Sequence, residues 1–364
     1  MATTRFWLWL ASLLVLLVIL MTGCLSGQTI MAPGDERAPT PAGLPRAGST
    51  VVASSEPAIV PSTPAVAANI AMTATPASET SRPSATPTMP VNTATPTPCQ
   101  AEVCTYPGHF VFQKPIAPPG RNTVDGSYRY GSTQDGLRET HHGVEFLNSQ
   151  GTPVLAAAAG TVVVAGNDHD AIYADWPYFY GNLVVIEHRF PEIEQPVYSL
   201  YAHLSAIDTR AGVLVRAGQQ IGQVGFTGSA EGSHLHFEVR VGQNEYESTR
   251  NPELWLGAWP GGEQATPGAI AGRVVDEYGA PIEVPSIVIE RLSADGSYVL
   301  ESFYLQTYAD HTVNGDDVWQ ENFALGDLPP GLYRVSFVVR GLQVYELEVQ
   351  PGMVTFISFD AAQH

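Results

Sequence analysis

Lysine is nearly missing from this chain of 364 residues, with Lys114 standing alone, and cysteine is confined to Cys24, Cys99 and Cys104. Three thiols exclude a disulfide-stapled fold and a four-cysteine zinc site. Positive charge is scarce, with 17 Lys and Arg against 36 Asp and Glu, for a net −19. That balance excludes nucleic acid and an anionic membrane face as electrostatic partners. Aromatic residues are absent from Leu25 to Pro98, so this stretch lacks the bulk from which a core is built. The apolar run from Phe6 to Met21 is about 16 residues, roughly 24 Å as a helix, short of the ~20 that comfortably span a bilayer.

What is present begins with an export signal. Arg5 precedes the apolar run, which ends in Met21-Thr22-Gly23-Cys24, small residues directly before a cysteine. This resembles the lipobox of bacterial lipoproteins, which implies cleavage before Cys24 and lipidation of its thiol and amine; an uncleaved signal anchor is the alternative. Either way the rest of the chain lies outside the cytoplasmic membrane, where disulfides are permitted. Residues 1–24 are the signal, and 25–105 read as a disordered tether of Thr, Pro, Ala and Ser. Its prolines favour extended conformations near ~3.1 Å per residue, giving a maximum reach on the order of 200 Å. With Cys24 lipidated, Cys99 and Cys104 remain as one pair and are expected to close a small disulfide loop.

From Tyr106 aromatics return and short β-branched runs alternate with glycine. Val162-Val163-Val164, Leu183-Val184-Val185-Ile186 and Val213-Leu214-Val215 read as strands, with no convincing 3.6-residue period, so residues 106–262 are expected to be mainly β. Strand alternation in His234-Leu235-His236-Phe237-Glu238-Val239-Arg240 puts Leu235, Phe237 and Val239 on the core face. His234, His236, Glu238 and Arg240 share the other. In extended backbone His141 and Glu145 also share a face, with Gly143 leaving a gap between them. Alternation in Leu200-Tyr201-Ala202-His203-Leu204 pairs Tyr201 with His203. Three histidine-bearing strands with polar faces could therefore line one groove.

The ordered set His141-x-Gly143-x-Glu145, Gly151-Thr152-Pro153-Val154, Gly160-Thr161-Val162, Tyr201-x-His203-Leu204, Gly225-x-Thr227-Gly228 and His234-Leu235-His236-Phe237-Glu238 resembles the M23 (LytM, lysostaphin-like) zinc metallopeptidases over about residues 125–258. The resemblance implies an antiparallel β-sheet groove, a Zn2+ cofactor and peptidoglycan peptides as substrate. In that family the zinc ligands are a histidine, an aspartate four residues on, and the second histidine of H-x-H. Carried over, these are His141, Glu145 and His236, with a fourth position left for water. His203 and His234 match the family's catalytic histidines. His234 is then the general base, and His203 the donor to the oxyanion or to the leaving amine. Glu145 departs from the family's Asp by one methylene, which a different rotamer or small backbone shift can absorb. The rival reading is a non-catalytic module that binds wall peptide or activates a separate amidase. His142 is expected to face solvent or to support a ligand, and His109, His169 and His188 match no ligand position. The aromatic stretch Tyr173 to Tyr180 is expected to be an exposed loop that either walls the groove or folds onto itself.

Residues 266–364 follow a Glu263-to-Gly268 linker and read as strands separated by Gly turns, a small β-sandwich. The pattern Gly272-Arg273-Val274-Val275-Asp276-x-x-Gly279-x-Pro281 with Phe323-x-Leu325-x-x-Leu328-Pro329-Pro330-Gly331 resembles carboxypeptidase-regulatory-like and Cna-B-like sandwiches. Without lysine or cysteine this part has no covalent staple and must rest on burial of residues such as Ile270, Val274, Ile287, Ile289, Val335, Phe337, Leu347, Phe356 and Phe359. Asp310, Asp316, Asp317 and Glu321 read as a solvated acidic loop, with a calcium site as the alternative.

Overall fold

The computed structural model describes residues 101–261 and 266–363. The signal, Cys24, nearly all of the tether and Cys99 lie outside them; Cys104 is disulfide-bonded. Among the described residues there is no α-helix, only two short 3-10 turns, and the fold is β throughout.

A seven-stranded antiparallel sheet organises the first half. Its order runs Thr249–Arg250, His234–Val241, Val197–Ala202, Asn182–His188, Gly160–Asn167, Leu214–Val215, and Val144–Leu147 pairs with the first half of His234–Val241. The three strands expected from Val162, Leu183 and Val213 fall inside this sheet. Asn182–His188 is central, and both its faces are covered. Val184 and Ile186 pack with Phe146, Leu235, Phe237 and Val239, while Leu183 and Val185 pack with Leu200, Ala202 and Tyr180. That double burial is why it reads as a continuous apolar run rather than an alternation.

Two four-stranded sheets form the sandwich. One is ordered Val103–Pro107, Met353–Asp360, Gly268–Val275, Phe323–Leu328; the other is Val299–Leu305, Ile287–Leu292, Gly331–Val338, Leu342–Val349. The expected core residues Ile270, Val274, Ile287, Ile289, Val335, Phe337, Leu347 and Phe359 do meet between them. Phe356 does not. It turns the other way, with Ala269, Ala271, Trp319, Ala324 and Val354, into the same cluster as Phe112, Phe237 and Leu254 of the first half. The edge strand Val103–Pro107 also comes from upstream of the peptidase, out of the stretch expected to be tether. A boundary at residue 266 therefore cuts through a shared core. Lys114, only 3% exposed, spans the same junction with a 2.6 Å bond to Asp327. Arg129 grips Glu253 with bonds of 2.6 and 2.7 Å, and Glu253 in turn accepts the Gly326 N–H at 2.9 Å.

His188 is fully buried, with Nδ1 bonded to the Ala159 carbonyl and Nε2 to the Ser199 hydroxyl. Burial pulls its pKa down to about 4. The unfolded chain takes up this proton near pH 6.5 and the folded one only near pH 4, so acid between those values favours unfolding. His188→Gln is expected to remove up to about 3 kcal/mol of the stability lost between pH 7 and 4. Urea midpoints at the two pH values check it. An equal pH loss in both proteins would show that His188 does not titrate on unfolding.

Candidate metal and active site

Register brings the site together. Within the sheet His236 lies opposite Glu145 on one side and Ala202 on the other. The three expected strands are therefore neighbours, and His203 follows directly after Ala202. Their side chains open into a cleft of about 440 Å³, lined by His141, His142, Glu145, His203, His234 and His236, with Trp176, Phe179 and Tyr246 on its wall.

Every imidazole in this cleft has one nitrogen committed to an acceptor. His141 Nδ1 meets the Tyr128 carbonyl at 2.8 Å, His203 Nδ1 the Thr227 carbonyl at 2.8 Å, and His234 Nδ1 the Gly232 carbonyl at 3.0 Å. His236 uses the opposite nitrogen, its Nε2 lying 3.0 Å from a Glu238 oxygen. A carbonyl or carboxylate only accepts, so each committed nitrogen carries the ring's proton. The other nitrogen then bears a bare lone pair. His141 Nε2 and His236 Nδ1 consequently face each other lone pair to lone pair at 3.1 Å.

Burial first, then the neighbouring His236, drives the pKa of His141 well below its ordinary value. Burial, then His236 and His234, does the same to His203. His234 is also lowered by burial, with Glu145 opposing; the carboxylate Oε1 lies 3.5 Å from His234 Nε2.

The donor set fits zinc. Two nitrogens bound at ~2.0–2.1 Å to one tetrahedral ion stand about 3.3 Å apart, close to the spacing seen here. Glu145 is the third oxygen or nitrogen donor at hand, opposite His236 and turned toward His234. Among the described residues no three His, Cys, Asp or Glu side chains already close around one point. Glu145→Asp is expected to bind zinc as tightly as the native chain or more so, read by competition with a chelating dye. Loss of binding would mean that the Val144–Leu147 backbone is set for the longer side chain.

Some local expectations need correction. Gly143 does not leave room for an ion; a Cβ there would lie 2.8 Å from His236 Cε1 and Nε2 and 2.6 Å from the Phe237 carbonyl. Its bareness seats the His236 ring. Tyr201 and His203 do not share a face, since Tyr201 lies in the main core and the strand ends at Ala202. His203 has φ +60, a left-handed conformation rare for histidine, and this swings its ring toward His236, 5.6 Å between centroids. His142 is buried rather than exposed, stacked on Tyr246 at 3.7 Å and bonded to Thr249 Oγ1 at 3.0 Å. The aromatic loop does both things expected of it: Tyr180 is buried, while Trp176 and Phe179 reach the cleft wall.

The sequence did not single out what lies beneath His236. Glu238 and Arg240 continue the polar face but are fully buried, paired at 2.8 Å, and joined by the Tyr180 hydroxyl. Burial alone would raise the Glu238 carboxyl; Arg240, His236 and Tyr180 outweigh it and hold it well below the carboxylate range. Tyr128 stacks flat on His141, 4.0 Å and 3° apart.

Residues 139–248 match the model of Peptidase family M23. Among curated relatives, the DD-carboxypeptidase/endopeptidase Mpg of Neisseria meningitidis is 41% identical over 101 residues, 28% of this chain and 20% of the relative. The peptidoglycan DD-endopeptidase ShyA of Vibrio cholerae is 36% identical over 129 residues, 33% of this chain and 27% of the relative. The solved catalytic domain of lysostaphin from Staphylococcus simulans is 30% identical across 36% of this chain and 86% of that domain, with a TM-score of 0.28. This chain spans under a third of the length of the curated relatives named here.

Proposed function

We propose that this protein is a zinc-dependent endopeptidase that hydrolyses peptide stems or cross-bridges of peptidoglycan, held at the cell envelope by lipid on Cys24. The observation that carries the reading is the buried pair of ring nitrogens, His141 Nε2 and His236 Nδ1, which face each other at 3.1 Å, close to the spacing of two donors on one tetrahedral ion. Sequence identity to enzymes named as peptidoglycan endopeptidases supports the substrate class. The lipobox and long tether suit a catalytic unit that works at a distance from its anchor.

His141, Glu145 and His236 would hold the metal. Zinc supplies a Lewis acid there and acidifies water toward a pKa of ~7. The remaining chemistry belongs to the two other histidines. His234, with its Nε2 lone pair facing the cleft, takes the proton of the attacking water, and the resulting imidazolium sits 3.5 Å from the Glu145 carboxylate. His203 has its only proton committed to Thr227, so its Nε2 donates to an oxyanion or leaving amine only after gaining a second one. Its ring centroid is 4.8 Å from that of His234, so both proton carriers border the same substrate position.

Zinc content of the purified chain, together with digestion of peptidoglycan peptides analysed by mass, tests the proposal. One zinc per chain and a cut amide bond are expected, with both lost to chelator and restored by zinc. Stoichiometric zinc without any cut product would leave the groove with a binding role and overturn the enzymatic reading.

A further inference from the structure

The acidic loop of the sandwich is only partly the solvated surface that its composition suggests, with Asp310 and Asp317 exposed but the other two carboxylates buried. Asp316 and Glu321 are 1% and 2% exposed, and the loop around them is docked on the peptidase. It docks on one segment in particular. Gly126 to His142 contains neither helix nor strand, yet it delivers His141 to the cleft. Internally this segment is held by Gly131 N–H on the His141 carbonyl at 2.8 Å and His141 N–H on the Ser132 carbonyl at 3.0 Å.

The sandwich grips the segment beside each of those bonds. Ala309 N–H donates to the Gly131 carbonyl at 2.8 Å. The Tyr308 ring lies so close over Gly131, itself at φ +76, that a Cβ there would be 2.4 Å from it. Tyr130 meets Tyr308 edge to face, and its hydroxyl accepts the Asn314 N–H at 3.0 Å. Thr140, the residue before His141, donates its hydroxyl to Asp310 at 2.7 Å. Asn314 Nδ2 bonds the Glu247 carbonyl at 2.7 Å, beside the Tyr246 and Thr249 groups that seat His142.

We propose that Asp310, through Thr140, and the Asn314 main-chain N–H, through Tyr130, position His141, so that the C-terminal sandwich acts as the clamp that sets the metal-binding loop of the peptidase. The consequence for metal rests on the zinc reading above; the consequence for loop order does not. A loop of this length with few regular hydrogen bonds gains its order from what it docks against. Here that partner is the other half of the protein.

The test uses the full chain and four variants: Thr140→Val, Tyr130→Phe, Asp310→Ala and Asp310→Asn. Thr140→Val removes one contact from the peptidase side and leaves the acidic loop intact. Hydrogen exchange at the Gly131 and His141 amides is expected to speed by about 3–10-fold in the first three, with exchange in the Gly331–Val338 strand unchanged. Zinc release to a chelator is expected to speed by about the same factor. Asp310→Asn keeps an oxygen for Thr140 and is expected to restore both. Unaltered exchange at Gly131 and His141 in Thr140→Val and Tyr130→Phe would overturn the clamp. A native chain that holds no zinc would overturn the functional reading, while the exchange data would still decide the clamp.

Discussion

His234→Ala is expected to keep its zinc and lose peptidoglycan hydrolysis by about 10²–10⁴-fold, whereas His236→Ala is expected to lose the zinc itself. The two residues are two apart on the same strand face, and both are buried, so burial and proximity do not distinguish them. Their committed nitrogens do. His236 points its lone pair at His141 and has Glu238 behind it to fix that orientation. His234 is tied only to the Gly232 carbonyl and faces Glu145. It is placed to take a proton and pass it on rather than to close a metal site. Metal analysis after dialysis, alongside a peptide-release assay, reads both variants. Stoichiometric loss of zinc from His234→Ala with retention in His236→Ala would reverse the assignment.

The strand that carries these histidines was legible because its period is two and one of its faces is apolar. Leu235, Phe237 and Val239 do enter the main core, and His234 and His236 do take the other side. The position of His203 was legible only as a neighbour of that strand. A period-two reading points its ring into the core with Tyr201; the left-handed φ that redirects it comes from tertiary bonds. Its N–H is held by the Tyr180 carbonyl at 2.9 Å and its Nδ1 by Thr227. Local pattern contains no trace of those partners.

The sandwich shows the same limit at larger scale. Most residues facing the inter-sheet core were readable one by one, since residues such as Val274, Val335, Leu347 and Phe359 have a polar neighbour. Phe356 lies between Thr355 and Ile357, and Ile357 is the one that faces the inter-sheet core, because the sheet that holds both is covered on two faces. Covering on the second face comes from the peptidase, more than a hundred residues away in sequence. Acidic residues 310–321 likewise looked like solvated surface, for their partners Thr140, Arg250 and His109 all lie in the other half.

Glu238→Ala is expected to lower stability steeply and, separately, to weaken zinc binding. The carboxylate is fully buried and holds three groups at once: the Arg240 guanidinium at 2.8 Å, the Tyr180 hydroxyl at 2.5 Å and His236 Nε2 at 3.0 Å. Its removal strands a fully buried Arg240 with only neutral partners, Asn244 and Tyr180 among them. Breaking a buried ion pair from one side costs about 3–5 kcal/mol, so the urea midpoint should fall steeply. A second effect is separable from the first. Without Glu238 nothing here holds the His236 proton on Nε2, and the ring is free to place it on Nδ1, where it blocks the lone pair facing His141. Loss of such an outer partner weakens metal binding by about 10–100-fold. The double variant Glu238→Leu with Arg240→Met tells the two apart. Replacing both charges with apolar groups of similar size is expected to recover much of the stability, as buried pairs commonly allow. It is expected to leave zinc affinity low. Recovery of zinc affinity together with stability would mean that Glu238 serves the fold alone and that His236 keeps its orientation from the Gly143 seat.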